Sequence, residues 1–142
     1  MPWINISLEP NGTYRACCLI DDYQYKHLTD KNEKLLNGVD NGIDEVRNSY
    51  SLKKIRKDFL DGKKPNYCKK CWNLEEVKQI SKRIKIQRYY NLTGDIFKYT
   101  KSDGEIKLNK FPLIFCDLRF GNLCNARCLI CGPYNSSMFG EN

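Results

Sequence analysis

Long hydrophobic runs are missing from this sequence. The longest uninterrupted apolar stretch, Phe111-Pro112-Leu113-Ile114-Phe115-Cys116, falls far short of the roughly 20 residues needed to cross a bilayer, so a membrane-spanning helix is excluded. The N-terminus, Met1-Pro2-Trp3-Ile4-Asn5-Ile6, has no basic segment leading into an apolar core. No secretory signal is therefore expected, and a reducing cytoplasm is the expected setting. Histidine is scarce: the single one, His27, sits in a polar stretch and reads as a solvated side chain rather than a base or ligand. Neither an internal repeat nor a low-complexity tract is present, which excludes solenoids and biased linkers.

What remains is ordinary globular composition. The chain has 142 residues, 41% hydrophobic and 29% charged, enough for one modest domain or two small ones. Its 24 Lys and Arg outnumber 17 Asp and Glu, for a net charge of +7. A cationic surface can attract nucleic acid, but here the charge is spread. Its densest part, Lys78 to Arg88, reads as the solvated face of an amphipathic helix, so nucleic acid is not the favoured partner. Eight cysteines stand out, and in a reduced compartment clustered cysteines more often hold metal or do redox chemistry than form disulfides.

Ile4, Ile6 and Leu8 alternate with polar residues, Pro10-Asn11-Gly12 supplies turn chemistry, and Tyr14 to Ile20 resumes a β-prone run, which predicts a hairpin. Cys17 and Cys18 would lie on its second strand with side chains on opposite faces, unable to serve one metal unless the strand ends or bulges there. Asp21 to Ser49 reads as a long loop holding at most one short helix. Ser51 is placed to cap a helix whose stripe is Leu52, Ile55, Phe59 and Leu60, stopped by Gly62 and Pro65. A second helix is predicted from about Asn73 to Tyr90, burying Leu74, Val77, Ile80 or Ser81, and Ile84. Cys68-Lys69-Lys70-Cys71 lies between the two. The pieces Ile96–Thr100 and Glu105–Leu108 predict a hairpin or a linker around Ser102-Asp103-Gly104. Leu113 to Phe120 predicts a buried strand, with Cys116 as a small buried hydrophobe.

Directly after that strand come Cys124-x3-Cys128-x2-Cys131. Three thiolates in so short a loop can wrap one iron-sulfur cube and leave one iron open to a further ligand. Bare spacing does not separate iron-sulfur from zinc. The context does more. The run Asp117-Leu118-Arg119-Phe120-Gly121-Asn122-Leu123-Cys124 through Cys131-Gly132-Pro133 resembles the first strand and cluster loop of the radical S-adenosylmethionine (SAM) superfamily. The resemblance implies that Cys124, Cys128 and Cys131 bind three irons of a 4Fe-4S cluster, that SAM chelates the fourth, and that SAM is cleaved to a 5′-deoxyadenosyl radical. Ile130 stands where the family usually has an aromatic residue against the adenine. A reductant such as flavodoxin or ferredoxin is implied as partner.

The first ninety residues resemble a twitch or SPASM auxiliary-cluster domain, through Pro2-Trp3 before the hairpin, Gly12-x4-Cys17 and Cys68-x2-Cys71. The resemblance implies a second iron-sulfur cluster on Cys17, Cys68 and Cys71, and weakly a peptide or protein substrate. Relatives carry a further cysteine before Pro-Trp, where this chain has Met1; the fourth ligand is then missing, replaced by Cys18, or supplied from outside. Zinc completed by Cys18 is the chemical alternative, and Trp72 reads as an apolar cover over the site. Without the loop, about 60 residues of structure remain, a size at which a core alone is marginal. A structural metal contributes on the order of 10 kcal/mol to small zinc modules.

The expected fold class is α+β: a β-hairpin plus two-helix twitch-like domain over residues 1–92, a linker or hairpin over 93–110, and the first strand and cluster loop of a truncated (β/α) barrel over 111–142. Later barrel strands and the glycine-rich SAM segment are expected beyond Asn142. The C-terminal strand is accordingly expected to lack neighbours and to be weakly stable, and the chain too short to turn over substrate alone. No residue is assigned a catalytic role. Two readings compete with the enzyme fragment: a small zinc-binding, basic nucleic-acid module, and a cluster-bearing scaffold without SAM chemistry.

Overall fold

A computed structural model describes residues 1–20 and 27–139. Strand β1 (Asn5–Leu8) turns through Pro10-Asn11-Gly12 into β2 (Tyr14–Arg15). Two local features make the turn. Gly12 adopts a φ of +82°, which costs a glycine nothing sterically. The Asn11 side-chain oxygen accepts from the Thr13 backbone N–H at 3.1 Å and its hydroxyl at 2.8 Å. The strands pair antiparallel, Ser7 opposite Arg15 and Leu8 opposite Tyr14. Every residue of β1 is buried, and its polar members are tolerated because they are bonded: Asn5 Nδ2 donates to Ala16 O at 3.0 Å and Ser7 Oγ to Asp117 Oδ2 at 3.2 Å.

The strand expected within Leu113 to Phe120 is β3 (Phe115–Leu118). It does not lack a neighbour: it runs parallel to β1, from Asn5 opposite Phe115 to Leu8 opposite Leu118, giving a three-stranded sheet of order β2-β1-β3. Ile114 N–H and Phe115 N–H both donate to Ile4 O, and Arg119 N–H closes the ladder on Leu8 O. Cys116 departs from expectation. It is exposed rather than buried, on a strand none of whose residues is fully buried.

Of the long loop, residues 21–26 lie outside the described residues. The remainder is anchored by buried Leu28 and Leu36 and holds one short helix, α1 (Ile43–Arg47). His27 is half-buried rather than solvated, its Nδ1 2.8 Å from Thr13 Oγ1. Helix α2 (Tyr50–Leu60) buries Leu52 and Ile55 as the pattern predicts, and ends at Gly62 with φ +72°. Its cap is Ser49, which accepts from Leu52 N–H, and not Ser51. Ser51 lies inside the helix, where its hydroxyl exchanges hydrogen bonds with Thr29 N–H at 2.8 Å and Thr29 O at 2.9 Å.

The single helix expected from Asn73 to Tyr90 is two, α3 (Lys69–Glu76) and α4 (Lys82–Tyr90). Lys78 goes left-handed, φ +59°, and Ser81 caps the new helix by accepting from Ile84 N–H at 3.2 Å. The break rotates the predicted stripe outward, so Leu74, Val77 and Ile80 are exposed and Ile86 is buried in their place. Ile96–Thr100, predicted extended, belongs mostly to α5 (Thr93–Tyr99). Only the Thr100 to Ile106 bridge keeps the hairpin character.

The core has two parts. One gathers Ile6, Tyr14, Leu28, Leu52 and Ile55, the other Trp3, Ile4, Ile86, Ile96 and Phe111, with Phe59 packed against both. Arg56, fully buried, donates to Gly104 O at 2.6 Å, Pro2 O at 2.9 Å and Arg47 O at 2.7 Å. Arg47, also buried, donates to Trp3 O and Phe111 O. Burial, then the Arg47 charge, pull the Arg56 pKa down to about 9. Carbonyl acceptors thus hold two guanidiniums in the interior, and the guanidiniums hold Pro2 and Trp3. Among the described residues no helix is long and apolar enough to cross a membrane.

Candidate metal centre

β2 stops at Arg15, and the chain turns at once, Ile20 N–H donating to Cys17 O at 3.4 Å. This is the strand ending that the adjacent Cys17 and Cys18 require if both are to face one region. The Arg15 guanidinium fastens the turn by donating to Ile20 O. On the other side, Cys68 ends a short 3-10 turn (Asn66–Cys68) and immediately precedes α3, which puts Cys71 in the helix's first turn. Pro65 O accepts from Cys68 N–H at 2.9 Å and Trp72 Nε1 at 3.1 Å, fixing where the helix begins.

α3 is then clasped to α4. The Glu75 carboxylate accepts from Ser81 Oγ at 2.5 Å and Arg83 Nε at 3.1 Å, with Arg83 Nη2 completing a two-pronged pair. The Arg83 guanidinium lies 4.2 Å from the Trp72 ring, which packs on Phe59 at 5.7 Å, which packs on Trp3 at 5.8 Å. This row ties the N-terminal segment to the Cys68–Cys71 helix; Trp72, expected as an apolar cover over the site, does not line the cavity beside the cysteines.

Cys17, Cys68 and Cys71 share one cavity, whose wall also includes Met1, Asn5, Lys70, Lys82 and Arg83. Among the described residues its charged lining is all cationic. Burial, and then the Cys71 and Cys17 sulfurs, push the Cys68 thiol up to about 12; burial raises Cys17 as well. Such thiols are inert until something displaces their protons. Lys82 Nζ stands 3.3 Å from Cys18 Sγ, and Cys18 is not part of the cavity wall.

The donor set fits a thiolate-bound metal group in kind. In position it does not yet converge: among the described residues no three Cys, His, Asp or Glu side chains stand close enough to share one ion. The cavity measures about 30 Å³, room for a single ion once the sulfurs close on it, whereas a cube of iron and sulfide has to spread the lining side chains.

Residues 1–72 match the family model for the SPASM iron-sulfur cluster-binding domain. The chain belongs to the SPASM family. No curated protein and no solved structure matches it. The SPASM match takes in the hairpin, Cys17, Cys18, Cys68 and Cys71, and ends at Trp72.

Cys124, Cys128 and Cys131 lie beyond the SPASM region, in the loop that leaves β3. The loop is stapled by the segment after it. Ser137 N–H donates to Asn122 O at 2.7 Å, Cys124 N–H to Ser137 Oγ at 3.3 Å, buried Ser136 Oγ to Ala126 O at 2.9 Å, and Arg127 Nε to Met138 O at 2.7 Å. Cys124 and Cys128 are exposed, Cys131 partly so, and Leu129 and Ile130 are fully exposed. The loop is thus shaped as a rim open to solvent.

Several residues that shape these sites escape a sequence reading. Glu9, Lys82, Arg83, Ser136 and Tyr134 belong to no motif, and their roles depend on partners far along the chain. Only Ser81 carried a readable signal, as a serine preceding helix-forming residues.

Proposed function

We propose that this SPASM chain is part of a radical SAM enzyme, with an auxiliary iron-sulfur cluster on Cys17, Cys68 and Cys71 and a 4Fe-4S cluster on Cys124, Cys128 and Cys131. One observation carries the reading: within the stretch that matches the family, the fold brings Cys17 against the distant Cys68–Cys71 pair around a single cation-walled cavity. When bound at the loop, a reduced cluster supplies the electron that cleaves SAM to methionine and a 5′-deoxyadenosyl radical. The chain's own contribution is positional. Ser136, Ser137 and Arg127 fix the loop backbone, and exposed Ile130 offers an apolar face beside the third cysteine for the adenine. Flavodoxin or ferredoxin is the proposed reductant, and a peptide or protein the proposed substrate class.

The narrow cavity favours one alternative, a single tetrahedral zinc ion at Cys17, Cys68 and Cys71 completed by Cys18. Anaerobic reconstitution followed by iron, sulfide and zinc analysis decides between them. Iron and sulfide are expected in two separable portions, one lost in the Cys17/Cys68/Cys71→Ala variant and the other in the Cys124/Cys128/Cys131→Ala variant. Zinc without sulfide in the first portion refutes the auxiliary cluster. Iron retained in the loop variant at the full wild-type level refutes the second site.

A further inference from the structure

We infer that Lys82 sets the reduction potential of the group held by Cys17, Cys68 and Cys71. This rests on the reading that the cavity takes an iron-sulfur cluster. A cluster bound by thiolates is anionic and becomes more so on reduction, and its potential follows net charge and hydrogen bonding around the sulfurs. A nearby fixed cation therefore favours the reduced form.

Among the described residues, three cations line the cavity, Lys70, Lys82 and Arg83, and no carboxylate does. Arg83 is already answered, since Glu75 takes both prongs of its guanidinium. Its charge is largely cancelled locally, and its task is to join α3 to α4. Lys82 is different. It is the first residue of α4, held there by the Ser81 cap, with its stem on the cavity wall and its ammonium 3.3 Å from Cys18 Sγ. The Cys18 sulfur holds the ammonium of this solvent-exposed lysine beside the cysteine turn. Cys18 thereby acquires a role that the pairing of adjacent cysteines did not suggest, as the anchor of a charge.

The test uses the full chain with Cys124, Cys128 and Cys131 changed to Ala, so that one cluster is titrated. The midpoint potential is read from the paramagnetic signal during an anaerobic redox titration. Lys82→Met keeps the apolar stem and removes the charge. It is expected to leave about tenfold less reduced protein at a fixed potential, a fall of about 59 mV for a one-electron couple. Lys82→Arg is expected to keep the wild-type midpoint. Lys85→Met, an exposed lysine on the same helix away from the cavity, controls for overall charge and is expected to leave the midpoint in place. An unmoved midpoint in Lys82→Met, or an equal shift in Lys85→Met, overturns the inference while the cluster itself stands. A Lys82 wild-type chain that takes up no iron in this background overturns the underlying reading and the inference together.

Discussion

Replacing Glu9 by glutamine removes a charge and almost no volume, at a point where the fold depends on that charge. Glu9 is 1% exposed and pairs with the Arg15 guanidinium, itself 7% exposed. Its other oxygen accepts from Tyr134 Oη at 2.7 Å, and Arg119 Nη1 lies 3.9 Å away. Breaking a buried pair by removing one partner typically costs about 3–5 kcal/mol, because the remaining charge is stranded. Arg119 is a third exposed and adds little, and glutamine still accepts a hydrogen bond, so the expected loss is near the lower end, about 3 kcal/mol. Arg15 has little room to compensate, as its Nε is already buried without a partner among the described residues. Urea unfolding followed by circular dichroism at pH 7 reads the loss directly. The double variant Glu9→Gln/Arg15→Met is expected to recover part of it, since both ends of the pair are then gone. Burial raises the Glu9 pKa, but hydrogen bonds from Arg15 and Tyr134 and the charges of Arg15 and Arg119 outweigh it and hold the carboxyl below its usual 4.5. Its stabilisation is then complete above the unfolded value and fades as pH falls through the lower folded one. The gap between wild type and Glu9→Gln should close in acid below about 4.5. A loss under about 1 kcal/mol at pH 7, the scale of an exposed pair, would refute the reasoning.

Gly104→Ala places a Cβ 2.0 Å from Lys53 O on a backbone with φ +87°; the expected cost exceeds about 3 kcal/mol, seen as a fall in Tm of roughly 10 °C. Arg56→Met leaves the carbonyls of Gly104, Pro2 and Arg47 without their buried donor, at a cost of about 3–5 kcal/mol. Amide exchange in that variant should quicken first in the 104–111 segment, and unchanged exchange there would contradict the clamp.

The sequence was most informative where structure is local. Pro10-Asn11-Gly12 makes the turn it spells, because glycine and asparagine determine the backbone there without distant help. The Leu52, Ile55 and Phe59 stripe likewise describes α2. The single helix over residues 73–90 failed for a physical reason: Leu74, Val77 and Ile80 continue a helical period, but Ser81 as a cap and the Glu75 pairing with Ser81 and Arg83 favour two helices. Periodicity is a weak prior that tertiary bonding overrides. The parallel pairing of β1 with β3 was equally illegible, since it joins residues more than a hundred positions apart and no local signal encodes a partner. Cysteine spacing marked both candidate sites, whereas the cations around the first and the serines behind the second were visible only in three dimensions.

Topology keeps the two sets of cysteines apart. β2 runs antiparallel to β1, so the chain leaves it beside the start of β1, where Asn5 holds Ala16 O and Cys17 follows. β3 runs parallel to β1, so it ends beside Leu8, and the Cys124 loop departs from that opposite end. The length of β1 therefore separates them, roughly 13 Å for four residues, too far for any ion to take sulfur from both. Yet the two ends are not independent, because Arg15 bonds the Cys17–Ile20 turn with one arm and Glu9 with the other, while Glu9 also holds Tyr134, three residues past Cys131. Two sets of cysteines at opposite ends of one short strand are thus tied through a shared buried carboxylate, which couples the position of one to the other.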